Sequence, residues 1–278
     1  MWAQCPHRWK TAYIDGQREY SDNIHTLFGT SMHEVIQTFL TVMYNDTAKQ
    51  AEQLPLEDML LTRMKRNFEE VLKTNGGEMF CTEKDMVEFY GHGVEILKFI
   101  RKKRAQYFSK KGYELIGIEV PINYDMPNNI KFIGYIDVVI KDTVRDVIKI
   151  YDIKTSTMGW NKYMKADKNK TDQLLLYKQF YSKQYNHPMD RIEVEYFIVK
   201  RKLYENLDFP QKRVQKFTPA NGKPSINQVI NRLDQFMKES FKSDGEYNTE
   251  HIYRKEASKK NCRFCEFNQT EFCDVGVK

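Results

Sequence analysis

Hydrophobic positions recur at three- and four-residue spacing through most of the first 110 residues, which predicts helices there. Ser31 and Glu34 form a Ser-x-x-Glu capping pattern ahead of Val35, Ile36, Phe39, Leu40 and Met43, so the first helix is expected to start at Ser31 with His33 in its first turn. From about Leu56 to Lys110 the same period returns twice, through Met59, Leu60, Met64, Phe68 and Leu72, then Val87, Tyr90, Val94, Leu97 and Ile100. At Tyr113 the period shortens to two. YELIGIEVPINY, IKFIGYIDVVIK and DVIKIYDIK read as three consecutive strands, with MPNN as a turn. TDQLLLYKQFYSKQY restores helical spacing, RIEVEYFIVK alternates as a fourth strand, and SINQVINRLDQFMKES reads as a closing helix opened by a Ser-x-x-Gln box at Ser225.

This order of helices, three strands, helix, strand and helix predicts an α/β fold with a central sheet. The chain shows no repeat, low-complexity tract or long linker, so residues 1–278 are expected to form one domain with a helical insertion over 45–112. With 41% hydrophobic residues among 278, a substantial core can be buried. Apolar runs stop far short of the roughly 20 residues needed to cross a bilayer, and the N-terminus has no signal-peptide pattern. A cytoplasmic protein with no membrane partner is expected, in the host cytoplasm if the source is viral.

The formal charge of +6 is modest, but basic residues cluster at Arg101–Arg104, Lys110–Lys111, Lys165 to Lys170 and Lys200 to Lys202. Such clusters suit a phosphate backbone when an active site needs one, and are otherwise solvated faces.

Two acids interrupt apolar strands at comparable positions: Asp137 in GYID and Asp152 in YDIK. A carboxylate in a core strand costs several kcal/mol unless it is paired or bound to a cation, so these interruptions point to a site. Lys154, two residues after Asp152, shares its face of the strand. Glu119 lies in the preceding strand, and His33 follows Gly29 by four residues. Hard oxygen donors with one imidazole suit Mg²⁺ or Mn²⁺, and a neighbouring ammonium suits an anionic transition state.

Taken together, Gly29-x-x-x-His33, Gly134-Tyr-Ile-Asp137, Asp152-Ile-Lys154 and Gln173-x-x-x-Tyr177 resemble the PD-(D/E)xK nuclease superfamily, most nearly its RecB/AddB-type and CRISPR-associated exonuclease branch. The resemblance runs from about Cys5 to Cys273. It implies a restriction-endonuclease-like mixed sheet flanked by helices. It also implies a metal held by His33, Asp137, Asp152 and the Ile153 carbonyl, Lys154 as the group that positions or activates water and stabilises charge, and Gln173 and Tyr177 lining the site and touching the nucleic acid. Glu119 is either a further acid near the metal or a salt-bridge partner. Ile136 stands where the family name has proline. The implied activity is hydrolysis at DNA ends in recombination, repair or genome processing, on single strands or end-bearing duplex, alone or with a helicase or recombination partner. A structure-specific endonuclease and a binding subunit of a helicase–nuclease complex are the competing readings.

Five cysteines are present, and Cys262, Cys265 and Cys273 cluster near one terminus while Cys5 stands near the other. Thiolates at this spacing bind an iron–sulfur cluster or zinc. By resemblance, Cys5 and the three C-terminal cysteines hold a [4Fe–4S] cluster that joins residues 1–12 to 255–278. Cys81 is read as an ordinary small residue. Cys5 stands so near Met1 that the element usual before it in the family is missing, which leaves an upstream start, or a trimmed or viral variant, as expectations. Tyr20, Phe28, Trp160, Tyr163 and Tyr177 are aromatics around the proposed site on which bases of a single strand can stack, with Tyr20 and Phe28 expected in the core. The segment from Thr157 to Lys170, carrying Lys162, Lys165, Lys168 and Lys170, is expected to be a loop that meets the phosphate backbone.

Overall fold

The computed structural model describes residues 1–18, 22–205 and 208–277. Tyr20, one of the aromatics singled out above, lies outside them. The helices are α1 (Pro6–Tyr13), α2 (Ile24–Asn45), α3 (Ala48–Gln53), α4 (Leu56–Thr74), α5 (Glu83–Tyr107), α6 (Lys162–Ala166), α7 (Lys168–Gln184), α8 (Lys223–Ser240) and α9 (Lys259–Cys262). The strands are β1 (Tyr113–Asp125), β2 (Lys131–Asp142), β3 (Val147–Ser156), β4 (Ile192–Lys200) and β5 (Val214–Phe217).

The five strands form one mixed sheet in the order β1-β2-β3-β4-β5. Neighbours run antiparallel except β3 and β4, which are parallel. A parallel pair needs a crossover, and α7 supplies it. Alternation along β3 and β4 feeds two cores. Tyr151, Ile153, Phe197 and Val199 pack with α2, α4 and α5 on one face. Ile148, Ile150, Val194, Tyr196 and Ile198 pack with α7 on the other. No helix among the described residues is long and apolar enough to cross a membrane.

Helix α2 starts at Ile24, seven residues before Ser31, because the Asn23 side chain accepts from the backbone N–H groups of His25 and Thr26. Ser31 lies inside the helix, fully buried, donating to the Leu27 carbonyl at 2.9 Å and accepting from Asn67 at 3.0 Å. His33 is therefore a mid-helix residue, and the Ser-x-x-Glu pattern is a coincidence of spacing. Likewise α8 begins at Lys223 with Pro224 in its first turn and Gly222 as its cap, so Ser225 caps nothing. Short elements escape periodicity altogether: α1, α3, α6 and β5 have eight residues or fewer.

Candidate active site

The β2–β3 ladder ends at the pair Val138–Tyr151. One step further the next positions are Asp137 and Asp152, and there the strands part. β2 continues beside β1 to Lys131, and β3 continues beside β4 to Ser156. Asp137 fills the fork: its Oδ2 accepts the Ile153 backbone N–H at 2.6 Å, taking the bond that a strand carbonyl would otherwise supply.

The strand alternation also breaks here. Ile136 packs with the α7-side cluster and Val138 with the α2-side cluster, although two residues apart they should share a face. β1 does the same around Glu119, with Ile118 on the α2 side and Val120 on the α7 side. Pairing of Ile118 with Val138 and of Val120 with Ile136 sets Glu119 opposite Asp137, and Glu119 has a left-handed φ of 49°. Such a backbone is uncommon for a non-glycine residue and persists only where the surroundings hold it. Gln37 does so: its Nε2 donates to Glu119 Oε1 and to the Asp137 carbonyl at 3.3 Å. The salt-bridge alternative for Glu119 finds no cationic partner among the described residues.

Gln37 is one helical turn from His33 on α2, and His33 Nδ1 stands 3.7 Å from Asp137 Oδ2. Sequence reasoning missed Gln37. Its signal was a polar residue at i+4 from His33 on an otherwise apolar helix face.

Across the fork, Lys154 Nζ lies 2.7 Å from Asp152 Oδ1 and donates to Gln173 Oε1 at 3.1 Å. Gln173 Nε2 in turn donates to the Tyr177 hydroxyl at 3.1 Å, one turn along α7. Tyr177 sits over Gly134, where an added Cβ would come within 2.8 Å of its ring. The structure thus brings His33, Glu119, Asp137, Asp152, Ile153, Lys154, Gln173 and Tyr177 into one continuous cluster.

Burial dominates its electrostatics. It pushes both carboxyls up, to about 6, against the pull of the Ile153 N–H on Asp137 and of Lys154 on Asp152. Burial also depresses His33, which leaves its imidazole neutral near pH 7 with a lone pair free to donate. Among the described residues, no three His, Cys, Asp or Glu side chains already stand in the arrangement of a metal site. The donor set nonetheless suits a hard cation. Asp152 is 2% exposed and its Oδ2 has no hydrogen-bond partner, a buried acceptor that a cation would satisfy.

A sequence model described as the PD-(D/E)XK nuclease superfamily matches residues 2–270. The chain belongs to the PD-(D/E)XK nuclease superfamily. Its mixed sheet with flanking helices is the restriction-endonuclease-like α/β fold of that superfamily. No curated protein matches the chain. Membership makes this nuclease a hydrolase whose substrate is nucleic acid.

Two other expectations need correction. The Thr157–Lys170 segment is not all loop: it holds α6 and the start of α7, with Asp167 ending the first helix and capping the second. Trp160 is only 7% exposed, tilted against the Tyr196 ring at 4.8 Å, and belongs to the core; it is no platform for bases. Tyr177 is equally buried at 7%, Phe28 is fully buried, as expected, and Tyr163 is 73% exposed.

At the termini, Cys5, Cys262, Cys265 and Cys273 line one cavity, all as free thiols, and burial raises the Cys265 thiol. Side-chain bonds already tie the ends together: Arg8 pairs with Glu266, His7 Nε2 meets the Phe272 carbonyl at 2.9 Å, and Asn261 donates to the Gln4 carbonyl at 2.8 Å. Cys81 is buried in the α2-side core.

Proposed function

We propose that this nuclease is a divalent-metal-dependent deoxyribonuclease that hydrolyses phosphodiester bonds at DNA ends, in recombination, repair or genome processing. The observation that carries the reading is the unsatisfied Asp152 Oδ2, buried beside an ammonium and facing a second carboxylate across a strand fork. Asp137, Asp152, neutral His33 and the Ile153 carbonyl would hold Mg²⁺ or Mn²⁺. When bound, such an ion polarises the phosphate and lowers the pKa of a bound water.

The chain's own residues supply the rest. Asp152 and Gln173 fix the Lys154 ammonium from two sides, so a cation is pre-placed where negative charge develops. Tyr177 holds Gln173 in turn. Gln37 locks the kinked Glu119–Asp137 pair, which aims Asp137 into the fork. Glu119 adds a third acid beside them.

For the termini, Cys5, Cys262, Cys265 and Cys273 would hold a [4Fe–4S] cluster with a structural role. Four thiols from both ends of the chain lining one cavity support this.

An end-labelled oligonucleotide digest with Mg²⁺ or Mn²⁺ tests the reading. Wild type should release mononucleotides or short oligomers from one end, and Asp152→Ala should release none. Internal cuts would replace the exonuclease reading with an endonuclease, and cleavage indifferent to Asp152 would refute the site. An absorption spectrum of the same sample should show the thiolate-to-iron band and lose it in Cys262→Ala; a colourless zinc-loaded protein would overturn the cluster.

A further inference from the structure

We infer that a groove between the start of α7 and the cysteine-rich tip carries single-stranded nucleic acid to or from the active site, with Phe264 as a stacking platform for a base. The inference rests on the nuclease reading for its substrate. The groove is lined by Asn169 and Lys170 on one wall and by Lys259, Lys260, Arg263 and Phe264 on the other.

Three features give it this occupant. Its charge is lopsided: among the described residues that line it, Lys170, Lys259, Lys260 and Arg263 face one carboxylate, Asp167, which Lys260 meets at 3.5 Å. Among the described residues Lys170, Lys259 and Arg263 have no carboxylate partner, so their charge is available to phosphates. Phe264 is 78% exposed, an unusual state for a large apolar ring, and Arg263 lies over its face at 5.0 Å. An exposed ring among cations suits unpaired bases, because only those offer a free π-face. Finally, the groove adjoins the site. Lys170 precedes Gln173 by three residues on α7, roughly 4.5 Å along the helix axis. A strand leaving Lys154 would meet Lys170 next and then the Cys262–Cys265 turn.

The placement also gives the cysteine motif a task. Arg263 and Phe264 are the two residues between Cys262 and Cys265, so whatever orders that turn also orders the platform.

Binding measured in chelator, where nothing is cleaved, tests the groove independently of the hydrolytic reading. Fluorescent dT20 and a duplex of equal length are titrated onto the full chain. Lys259→Glu with Arg263→Glu should weaken dT20 binding tenfold or more and reduce the steepness of its salt dependence. Phe264→Ala should cost about tenfold with the salt dependence unchanged. Photo-crosslinking of 4-thiothymidine DNA to the unmodified protein needs no variant to fold, and crosslinks should fall within residues 259–264. Unchanged dT20 affinity in both variants, or crosslinks confined to other segments, would overturn the inference. So would displacement of dT20 by polyglutamate at equal charge, which would mark a site for acidic chains in general. Failure of wild type to cleave DNA while these binding results hold would instead remove the nuclease reading and leave the groove.

Discussion

Asp137 and Asp152 are acids that the fold makes reluctant to ionise, and this has a measurable sign. Both carboxyls are raised from the ordinary value near 4 to about 6, with burial the main cause. Between those values the native state keeps protons that the unfolded chain has released, so metal-free protein should lose stability as pH rises from about 4 to about 6. The loss is on the order of a few kcal/mol. Melting temperatures in chelator, compared with an Asp137→Asn/Asp152→Asn variant, check it: wild type should fall relative to the variant across that window, and Mn²⁺ at pH 7 should restore wild type alone. A difference flat in pH would mean that neither carboxyl is strained in the apo state. At this scale much was legible in the sequence. An acid interrupting an apolar strand is a costly choice, and two of them with Lys154 point to the cluster from the sequence. Gln37 offered only the sign of a polar residue four positions after His33, because its role depends on a backbone kink at Glu119 that no side-chain pattern announces.

Helices α2, α4 and α5 support that cluster by close packing, and at Gly93 all three meet without room for a side chain. A Cβ there would lie 2.4 Å from Leu60 Cδ2, 3.1 Å from Phe28 Cε2 and 3.2 Å from Met32 Sδ. Gly93→Val should therefore destabilise by about 1–3 kcal/mol through overpacking, read as a lower urea midpoint at unchanged slope. A neutral result would show that the three helices can separate at no cost. Periodicity found the long helices and the four longer strands, since each repeats its signal several times. It placed the starts of α4 and β1 correctly but misplaced those of α2 and α8, because capping depends on which polar side chain reaches a free N–H: Asn23 wins over Ser31, and Gly222 with Pro224 over Ser225. The four-residue β5 offers too few positions for alternation to register, and α6 hides within a stretch dense in lysine.

Over the whole molecule, positive charge is spread in several patches along the chain. Lys165 and Lys168 flank Asp167, where α6 hands over to α7. Changing both to alanine should weaken DNA binding and lower the slope of log affinity against log salt by about 0.7–0.9 per lysine, without abolishing cleavage. An unchanged slope would place the backbone contacts elsewhere. The fork itself has a wider meaning. Asp137 rides on the β1–β2 hairpin and Asp152 on the β3–α7–β4 crossover, and beyond Val138–Tyr151 no main-chain rung among the described residues joins these halves. An ion gripping both acids would act as a rivet across that seam. The tool that activates water would then also stiffen the jaw that holds it, and a cation-starved enzyme would be loose as well as idle.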